Sequence, residues 1–438
     1  MSYIPYKNYS PSKTYLLDEI PSNWEIIPMN QFVELVTDYV SNGSFASLRT
    51  NVEYKNEEDF AILVRLADNS NNFAGPFVYI NEDAYNFLSK SKLFEGDIVL
   101  SNTGSIGSIF KVPNLGKPMS LAPNSLLIRF RNQTLADYFF YLFSCDIGRK
   151  FLESITTVTT QPKFNKTDFR KLPMLMPPLK EQKQIANYLD KKTAKIDENI
   201  SKNKKLIELL EEKRTALINE VVTKGLNPDV PMKDSGVEWI GEIPEHWEII
   251  KVKNCSTLIN DKKDFADEND KYIGLEHIES ETGKLLNYSK EGADGTVNKF
   301  KKDMVLFGKL RPYLAKVIKT SFDGVCSTEL LIFKTNESLI PKYLFYFMLS
   351  NRFIEQVNSS TYGVKMPRAS PDFINSLPIA LPNTNEQQGI VDYLDTKTTK
   401  INNTLSKIKE NIVLLEEYKT SLIHHVVTGK IDVRGEEI

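Results

Sequence analysis

The sequence is short of the residues that most chemistry needs. Among its 438 residues are 3 cysteines and 4 histidines. The cysteines, Cys145, Cys255 and Cys326, stand far apart and are odd in number, which argues against a disulfide framework and a zinc site and points to a reducing compartment. Of the histidines, His424 and His425 fall late in a helical stretch, His246 follows Pro-Glu and His277 is isolated. None has a metal-ligand or nucleophile partner at a useful spacing, so each reads as structural. An excess of one charge is also missing: 55 Lys and Arg face 57 Asp and Glu, for a net charge of −2. A nucleic-acid partner would therefore have to be held by local patches. No apolar run reaches the ~18 residues that span a bilayer. The nearest, YFFYLFSC at Tyr138 and YLFYFML at Tyr343, are short and aromatic and read as buried helices. The start, MSYIPYKNYSPSK, lacks the apolar core of a signal peptide, and the expected location is the cytoplasm.

Catalytic motifs are missing as well. Met176-Pro177-Pro178-Leu179 is a faint echo of the Asn-Pro-Pro-aromatic motif of adenine methyltransferases, but the Asn and the aromatic are both absent. Gly104-Ser105-Ile106-Gly107 is too short for a phosphate loop and reads as a turn. Acidic pairs such as Glu211-Glu212 and Glu416-Glu417 lie where a solvated helix face explains them. No catalytic residue, metal or resident cofactor is expected.

What the chain does have is a repeat. Leu172 to Leu226, LPMLMPPLKEQKQIANYLDKKTAKIDENISKNKKLIELLEEKRTALINEVVTKGL, returns without a gap at Leu377 to Ile431. About half the positions are identical, which at this length is far beyond chance. Each copy opens with Pro-punctuated chain and Glu-Gln, then sets apolar residues three, four or seven apart. In the first these are Ile185, Leu189, Ile196, Ile200, Ile207, Leu210 and Leu217. In the second they are Ile390, Leu394, Ile401, Leu405, Ile408, Ile412, Leu415 and Leu422. This is a coiled-coil seam sustained over several heptads, and each helix needs a partner that the other copy supplies. Roughly 44 residues at about 1.5 Å each give a rod of about 66 Å, on the order of two turns of B-DNA.

The repeat extends into the intervening globules. IPSNWEII at Ile20 returns as IPEHWEII at Ile243, EGDIVLSNTGS at Glu95 matches KKDMVLFGKL at Lys301, and NSLLIRF at Asn124 answers TELLIFK at Thr328. Short apolar runs bounded by Gly, Asn and Pro predict strands, closed in each globule by one or two helices. The expected class is α+β: two mixed α/β domains separated by two long antiparallel coiled-coil helices, with a pseudo-two-fold internal repeat. The boundaries read as 1–178 for the first domain, 179–226 for the first long helix, 227–382 for the second domain, and 383–438 for the second long helix and tail. The short link Asn227 to Glu242 favours antiparallel over parallel pairing. Asn51 to Pro76 has no recognisable counterpart in Asp261 to Gly295, and such divergence between shared anchors marks where the halves bind different things.

Two clusters of basic and polar residues occupy equivalent places. The first domain offers Thr103, Ser105 and Lys111 after one strand, and Gln161, Lys163, Asn165 and Lys166 in its exit loop. The second offers Lys309, Arg311, Tyr313 and Lys316, with Tyr362, Lys365 and Arg368 at its exit. Lys and Arg suit phosphates, while Arg, Asn, Gln and Ser suit base edges.

In these features the chain resembles the specificity subunits of type I restriction-modification systems. Two divergent globules each open with IP-x-x-WE, and each leads into a P-x-x-x-EQ helix ending in VVT. GDIVLSNTGSIG and DMVLFGKLRPYLAK also look like segments of that family's target recognition domains. The resemblance implies that each domain reads one half of an asymmetric, bipartite DNA site and that the helices act as a ruler for the gap. It also implies double-stranded DNA, two methyltransferase subunits that use S-adenosylmethionine, and restriction-translocase subunits as partners, with no catalysis in this chain. Two rivals remain at this point: a self-contained DNA-modifying enzyme, and a coiled-coil adaptor that never touches DNA.

Overall fold

Prolines and glycines punctuate the two long helices in nearly the same way. Helix α1 runs Leu179–Lys224 and helix α2 Thr384–Val427. Before α1, the Pro178 carbonyl accepts from the Glu181 and Gln182 amides at 2.8 and 3.0 Å, and the Gln182 amide folds back onto the Pro177 carbonyl at 2.6 Å. Before α2, Asn383 accepts from the Glu386 amide at 3.0 Å and Gln387 donates to the Pro382 carbonyl at 2.8 Å. The Glu-Gln pair repeated in sequence thus sits in the first turn of each helix, where backbone groups lack helical partners. Both helices stop just before a glycine of positive φ, Gly225 at 74° and Gly429 at 73°, a left-handed turn that spares glycine the Cβ clash.

The computed structural model describes residues 4–14, 16–104, 106–157, 161–264, 270–286, 295–363 and 365–436. By internal contacts the chain divides into two units, Met1–Lys202 with Asn411–Ile438, and Asn203–Glu410. Each unit holds one globule and a stretch of both helices, and within each unit the helices run antiparallel. In the first, the start of α1 meets the end of α2, and Lys419 pairs with Asp197 at 2.6 Å. In the second, Arg214 donates to Asn402 at 2.9 Å and Lys409 stands 3.5 Å from Glu211.

The repeated motifs pair with one another. Strand Glu25–Pro28, from the Ile-Pro-x-x-Trp-Glu stretch, runs antiparallel to Pro173–Met176, and Glu248–Lys251 does the same with Pro378–Leu381. This directs Trp24 and Trp247 onto the helix ends. The indole of Trp24 donates to buried Glu181 at 2.7 Å, which also accepts from the Tyr6 hydroxyl and from Asn23 at 2.9 Å. In the second unit Trp247 donates to Glu386 at 3.0 Å and His246 lies 3.0 Å from the other carboxylate oxygen. The same indoles cover the glycine stops: a Cβ at Gly225 would stand 3.1 Å from Trp247, and one at Gly429 would meet Pro21 at 2.4 Å.

The apolar runs become the buried helices expected of them, Gln133–Ser144 and Pro341–Leu349, each followed by a second short helix, Asp146–Glu153 or Asn351–Ser359. Tyr141 donates to Asp190 on α1 and Tyr346 to Asp395 on α2, both at 2.5 Å. Burial and the neighbouring carboxylate push both phenols above their ordinary range.

Among the described residues both domains are mixed α/β, each with two four-stranded sheets. One sheet is fully antiparallel and has the same order in both: Val33–Asp38, Ser125–Phe130, Ile98–Ser101, Ile109–Lys111 in the first, and Ser256–Ile259, Leu330–Thr335, Val305–Gly308, Val317–Lys319 in the second. Within the stretch Asn51 to Pro76, which has no recognisable counterpart in sequence, the second sheet matches one strand, although the strand orders of the two second sheets differ. Ala61–Val64 lies parallel to Met119–Leu121, as Tyr272–Ile273 does to Gly324–Ser327. After each strand a side chain caps a backbone amide: Asp68 accepts from Arg65 N–H at 2.8 Å, and His277 Nδ1 from Gly274 N–H at 3.0 Å. The backbone is kept while its residues are not, because a carboxylate and an imidazole nitrogen meet the same need for an acceptor. His277 is thereby a structural cap.

Of the helix positions read as a seam, Ile185, Leu189, Ile196, Ile200 and Leu422 are buried in the first unit and Ile412 and Leu415 are half-buried against the same core. In the second unit Ile390, Leu394, Ile401 and Leu405 are buried, while Ile207, Leu210, Leu217 and Ile408 are half-buried. Ile218, Val222 and Ile423, outside the assigned seam, are buried too. Near their ends the helices pack on their own globule as well as on each other, which widens the apolar stripe beyond a strict heptad.

Two predictions follow from this packing. Glu181→Ala leaves the indole, phenol and amide donors around it without an acceptor and costs roughly 2–4 kcal/mol in denaturant unfolding; a cost no greater than that of Glu198→Ala on the exposed face would refute the role. Burial, with Lys430 and His425 adding to it, holds His424 below its ordinary value. The unfolded chain takes up a proton near pH ~6.5 and the folded chain only lower, so stability falls as pH drops through that window. The unfolding midpoint should therefore decline from pH 7.5 to about 5.5, and His424→Gln should flatten that decline.

Candidate nucleic-acid interface

In each domain the antiparallel sheet delivers one strand end to the exit loop. Beyond Ile98–Ser101 the chain runs through Asn102 and Thr103 and forms a bridge with Lys163, which itself pairs back with Thr157. Beyond Val305–Gly308 the same happens: Leu310 bridges Arg368, which pairs back with Tyr362. The backbone bonds match one for one. Gly104 N–H donates to Pro162 O at 3.0 Å and Arg311 N–H to Pro367 O at 2.8 Å. Phe164 N–H donates to Asn102 O at 3.3 Å and Ala369 N–H to Lys309 O at 2.9 Å. One scaffold therefore presents two different sets of side chains.

Of the residues singled out in sequence, these pairings gather Thr103, Gln161 and Lys163 in the first domain and Lys309, Arg311, Tyr362, Lys365 and Arg368 in the second. Gln161, Lys163, Arg311, Tyr313, Tyr362 and Lys365 are exposed. Ser105 lies outside the described residues. Other members have work within the fold. Lys111 pairs with Asp137 at 2.7 Å and sits over the Phe140 ring at 5.0 Å. Lys166 pairs with Asp38 at 3.0 Å. Asn165 caps the helix Lys166–Lys171 by accepting from Asp168 N–H at 2.9 Å. Lys316 turns inward to the Leu275 carbonyl at 2.6 Å. Arg368 forms a two-pronged contact with Glu329, at 3.0 and 3.1 Å, and that carboxylate raises its affinity for the proton. Among the neighbouring lysines, Lys301 pairs with Asp323 at 3.1 Å and Lys319 with Asp303 at 2.5 Å. The free basic face is narrower than the sequence cluster suggests.

Arg311, like Ala315 close by, has a left-handed backbone. Its φ is 50°, at the place where the first domain has Gly104 at 76°. A left-handed conformation costs a non-glycine residue about 1–2 kcal/mol, and the following Pro312 disfavours helical backbone further. The fold asks for glycine here and the second domain carries an exposed guanidinium instead. Strain of this kind, held in place by the Pro367 hydrogen bond, marks a position kept for its side chain.

Beside the first cluster a cavity of about 400 Å³ is lined by Asp38, Tyr39, Val40, Phe45, Asn102, Thr103, Asn124, Ser125, Gln161 and Lys163. Sequence reasoning missed its aromatic, apolar and asparagine members, which come from three separated stretches; only Asn124, a residue type that tolerates the left-handed φ of 67° it adopts, leaves a local signal. Burial pushes the thiols of Cys145 and Cys255 up to about 11 and that of Cys326 up to about 12, where a thiolate nucleophile is suppressed. Among the described residues no group of three or more His, Cys, Asp or Glu is placed to hold a metal, and no helix is long and apolar enough to cross a membrane.

Comparison with known proteins agrees with this architecture. The family described as the type I restriction modification DNA specificity domain matches residues 21–210 and 244–413. The chain is 24% identical over 434 residues to the specificity subunit of the type I restriction enzyme MjaVIII of Methanocaldococcus jannaschii, covering 95% of both chains. It is 25% identical over 276 residues to the EcoDI specificity subunit of Escherichia coli, spanning 57% of this chain and 62% of that one. Two solved structures share the fold at 14% identity. One, from work on complex assembly and conformational transition of a type I restriction-modification system, gives a TM-score of 0.68 over 94% of this chain and 99% of the other. The other, the HsdS subunit of Thermoanaerobacter tengcongensis, gives 0.53 over 94% and 98%.

Arg311→Gly separates strain from recognition. Thermal unfolding should show stability unchanged or raised by about 1 kcal/mol, while binding to duplex DNA weakens through the second domain. A variant that both unfolds earlier and binds as before would show that the side chain serves the fold.

Proposed function

Because this chain belongs to the type I restriction-modification DNA specificity family and is a specificity subunit with two DNA recognition domains, we propose that it reads an asymmetric, bipartite duplex site, one half-site per domain. The observation that carries this reading is the conserved pairing of strand end and exit loop in both domains, with Gln161 and Lys163 on one scaffold and Arg311, Tyr362 and Lys365 on the other. A shared scaffold with different side chains suits two different half-sites, since side chains on base edges specify while phosphate contacts position.

The helices supply the second half of the function. With 46 residues in α1, at about 1.5 Å per residue, the helix is about 69 Å long. Such a length sets the unspecified gap between half-sites. The polar faces of the helices dock two methyltransferase subunits, which carry S-adenosylmethionine, and restriction-translocase subunits join that core. The chain itself contributes no catalytic residue and works in the cytoplasm. The buried thiols, His277 in its capping bond and His246 beside Glu386 support the absence of a catalytic residue.

The test is to reconstitute the chain with its methyltransferase subunits and map the methylated sites. A variant with one added heptad in each helix lengthens each by about 10 Å, or about three base pairs. Its sites should keep both half-site sequences and gain a gap of about that size. The chain alone should methylate nothing. Changed half-site identity with a constant gap, or methylation without a partner, would overturn the proposal.

A further inference from the structure

The first domain carries an apolar patch that neither its core nor its basic cluster explains. Phe45 is 83% exposed and Val40 44% exposed, and both line the 400 Å³ cavity together with Asn102, Asn124, Gln161 and Lys163. A single exposed apolar side chain is ordinary. Two on the rim of a cavity walled by amides and edged by a lysine form a surface with apolar, hydrogen-bonding and cationic parts in one place. The second domain repeats the theme with other residues: Tyr313 is 50% exposed, Tyr362 67% and Met366 52%, beside the equivalent strand end and exit loop.

The chemistry of the patch matches one feature of duplex DNA. In the major groove an A·T pair offers adenine N7 and N6 to a side-chain amide, and beside them the thymine C5-methyl to an apolar contact. We propose that this surface reads an A·T pair within the first half-site, with Phe45 and Val40 against the thymine methyl and the amide of exposed Asn124 on the adenine edge, since the Asn102 amide is taken up by the Phe164 carbonyl at 3.5 Å and the Thr103 hydroxyl at 3.4 Å. Lys163 then lies at the phosphate rim, where it adds affinity without specifying sequence. The inference rests on the bipartite reading proposed above and names the base pair taken by one part of it. Phe45 is the specificity-determining residue: it begins the helix Phe45–Asn51, where the hydroxyl of Ser44 accepts from Ser47 N–H at 3.2 Å, and its ring takes no part in the core.

The experiment uses the chain reconstituted with methyltransferase subunits and duplexes bearing its mapped site. Each thymine of the first half-site is replaced in turn by uracil, which removes only the C5-methyl, and each adenine by 7-deazaadenine, which removes N7. One uracil position should weaken wild-type binding about fivefold and be silent for Phe45→Ala, which itself should lose about tenfold on the intact duplex. Asn124→Asp should remove the 7-deazaadenine effect at the paired position. Phe45→Leu should keep most of the affinity, and the melting temperature of Phe45→Ala should match wild type because its ring is exposed. The inference is overturned by a first half-site with no A·T pair, by Phe45→Ala binding as wild type does, or by uracil effects equal in both proteins. It is also overturned if Phe45→Ala weakens subunit assembly without changing discrimination among duplexes, since the patch would then hold a protein. A wild-type complex with no sequence preference would instead bring down the underlying specificity reading.

Discussion

Most of this structure depends on how a tryptophan, a glutamate and a glycine meet at a helix end. The indole needs a hydrogen-bond acceptor when buried, the first turn of a long helix tolerates a carboxylate, and the other helix must stop where its backbone turns left-handed. Trp24, Glu181 and Gly429 satisfy all three needs in one unit, and Trp247, Glu386 and Gly225 in the other. The arrangement explains why Ile-Pro-x-x-Trp-Glu, Glu-Gln and Val-Val-Thr recur in step: each is one face of the same junction. The copies are not identical. Glu181 is buried under Tyr6 and Asn23, while Glu386 takes His246 instead and stays partly in solvent.

A second layer of contacts ties the globules to the helices. Tyr141 on Asp190 and Tyr346 on Asp395 join an aromatic helix to a long one, each with a threonine nearby, Thr193 and Thr398. Those threonines are buried within otherwise polar helix faces, so an apolar pattern alone does not find them. Position 214 shows the same limit. Arg214 is buried against Asn402, with Glu281 3.7 Å away. The corresponding pair in the other copy is Lys419 and Asp197, a direct ion pair at 2.6 Å. Where one copy pairs charge with charge across the helices, the other uses a neutral amide and places a carboxylate from the globule within reach.

The recognition surface was legible only in part. Both strand ends and both exit loops could be named from their positions in the repeat, and the backbone does bring them together. Which cations remain available could not be read locally, because Asp38, Asp137, Glu329 and the Leu275 carbonyl, which engage Lys166, Lys111, Arg368 and Lys316, come from distant parts of the chain. The cavity beside Phe45 was invisible for the same reason. The left-handed backbone of Arg311 had no signal of its own either: the aligned sequences set Gly104 opposite Leu310, and only the matched bonds to Pro162 and Pro367 make it the counterpart of Arg311.

By itself the sequence determined the repeat, the two long helices with their start and stop signals, the mixed α/β class and the antiparallel sense, since these follow from periodicity, punctuation and link length. Tertiary structure alone decided that Ala61–Val64 and Tyr272–Ile273 are equivalent strands, because a hydrogen-bonded ladder constrains backbone and leaves side chains free to diverge. It alone decided which exposed groups face outward, because a charge is available only when nothing folded beside it has taken it.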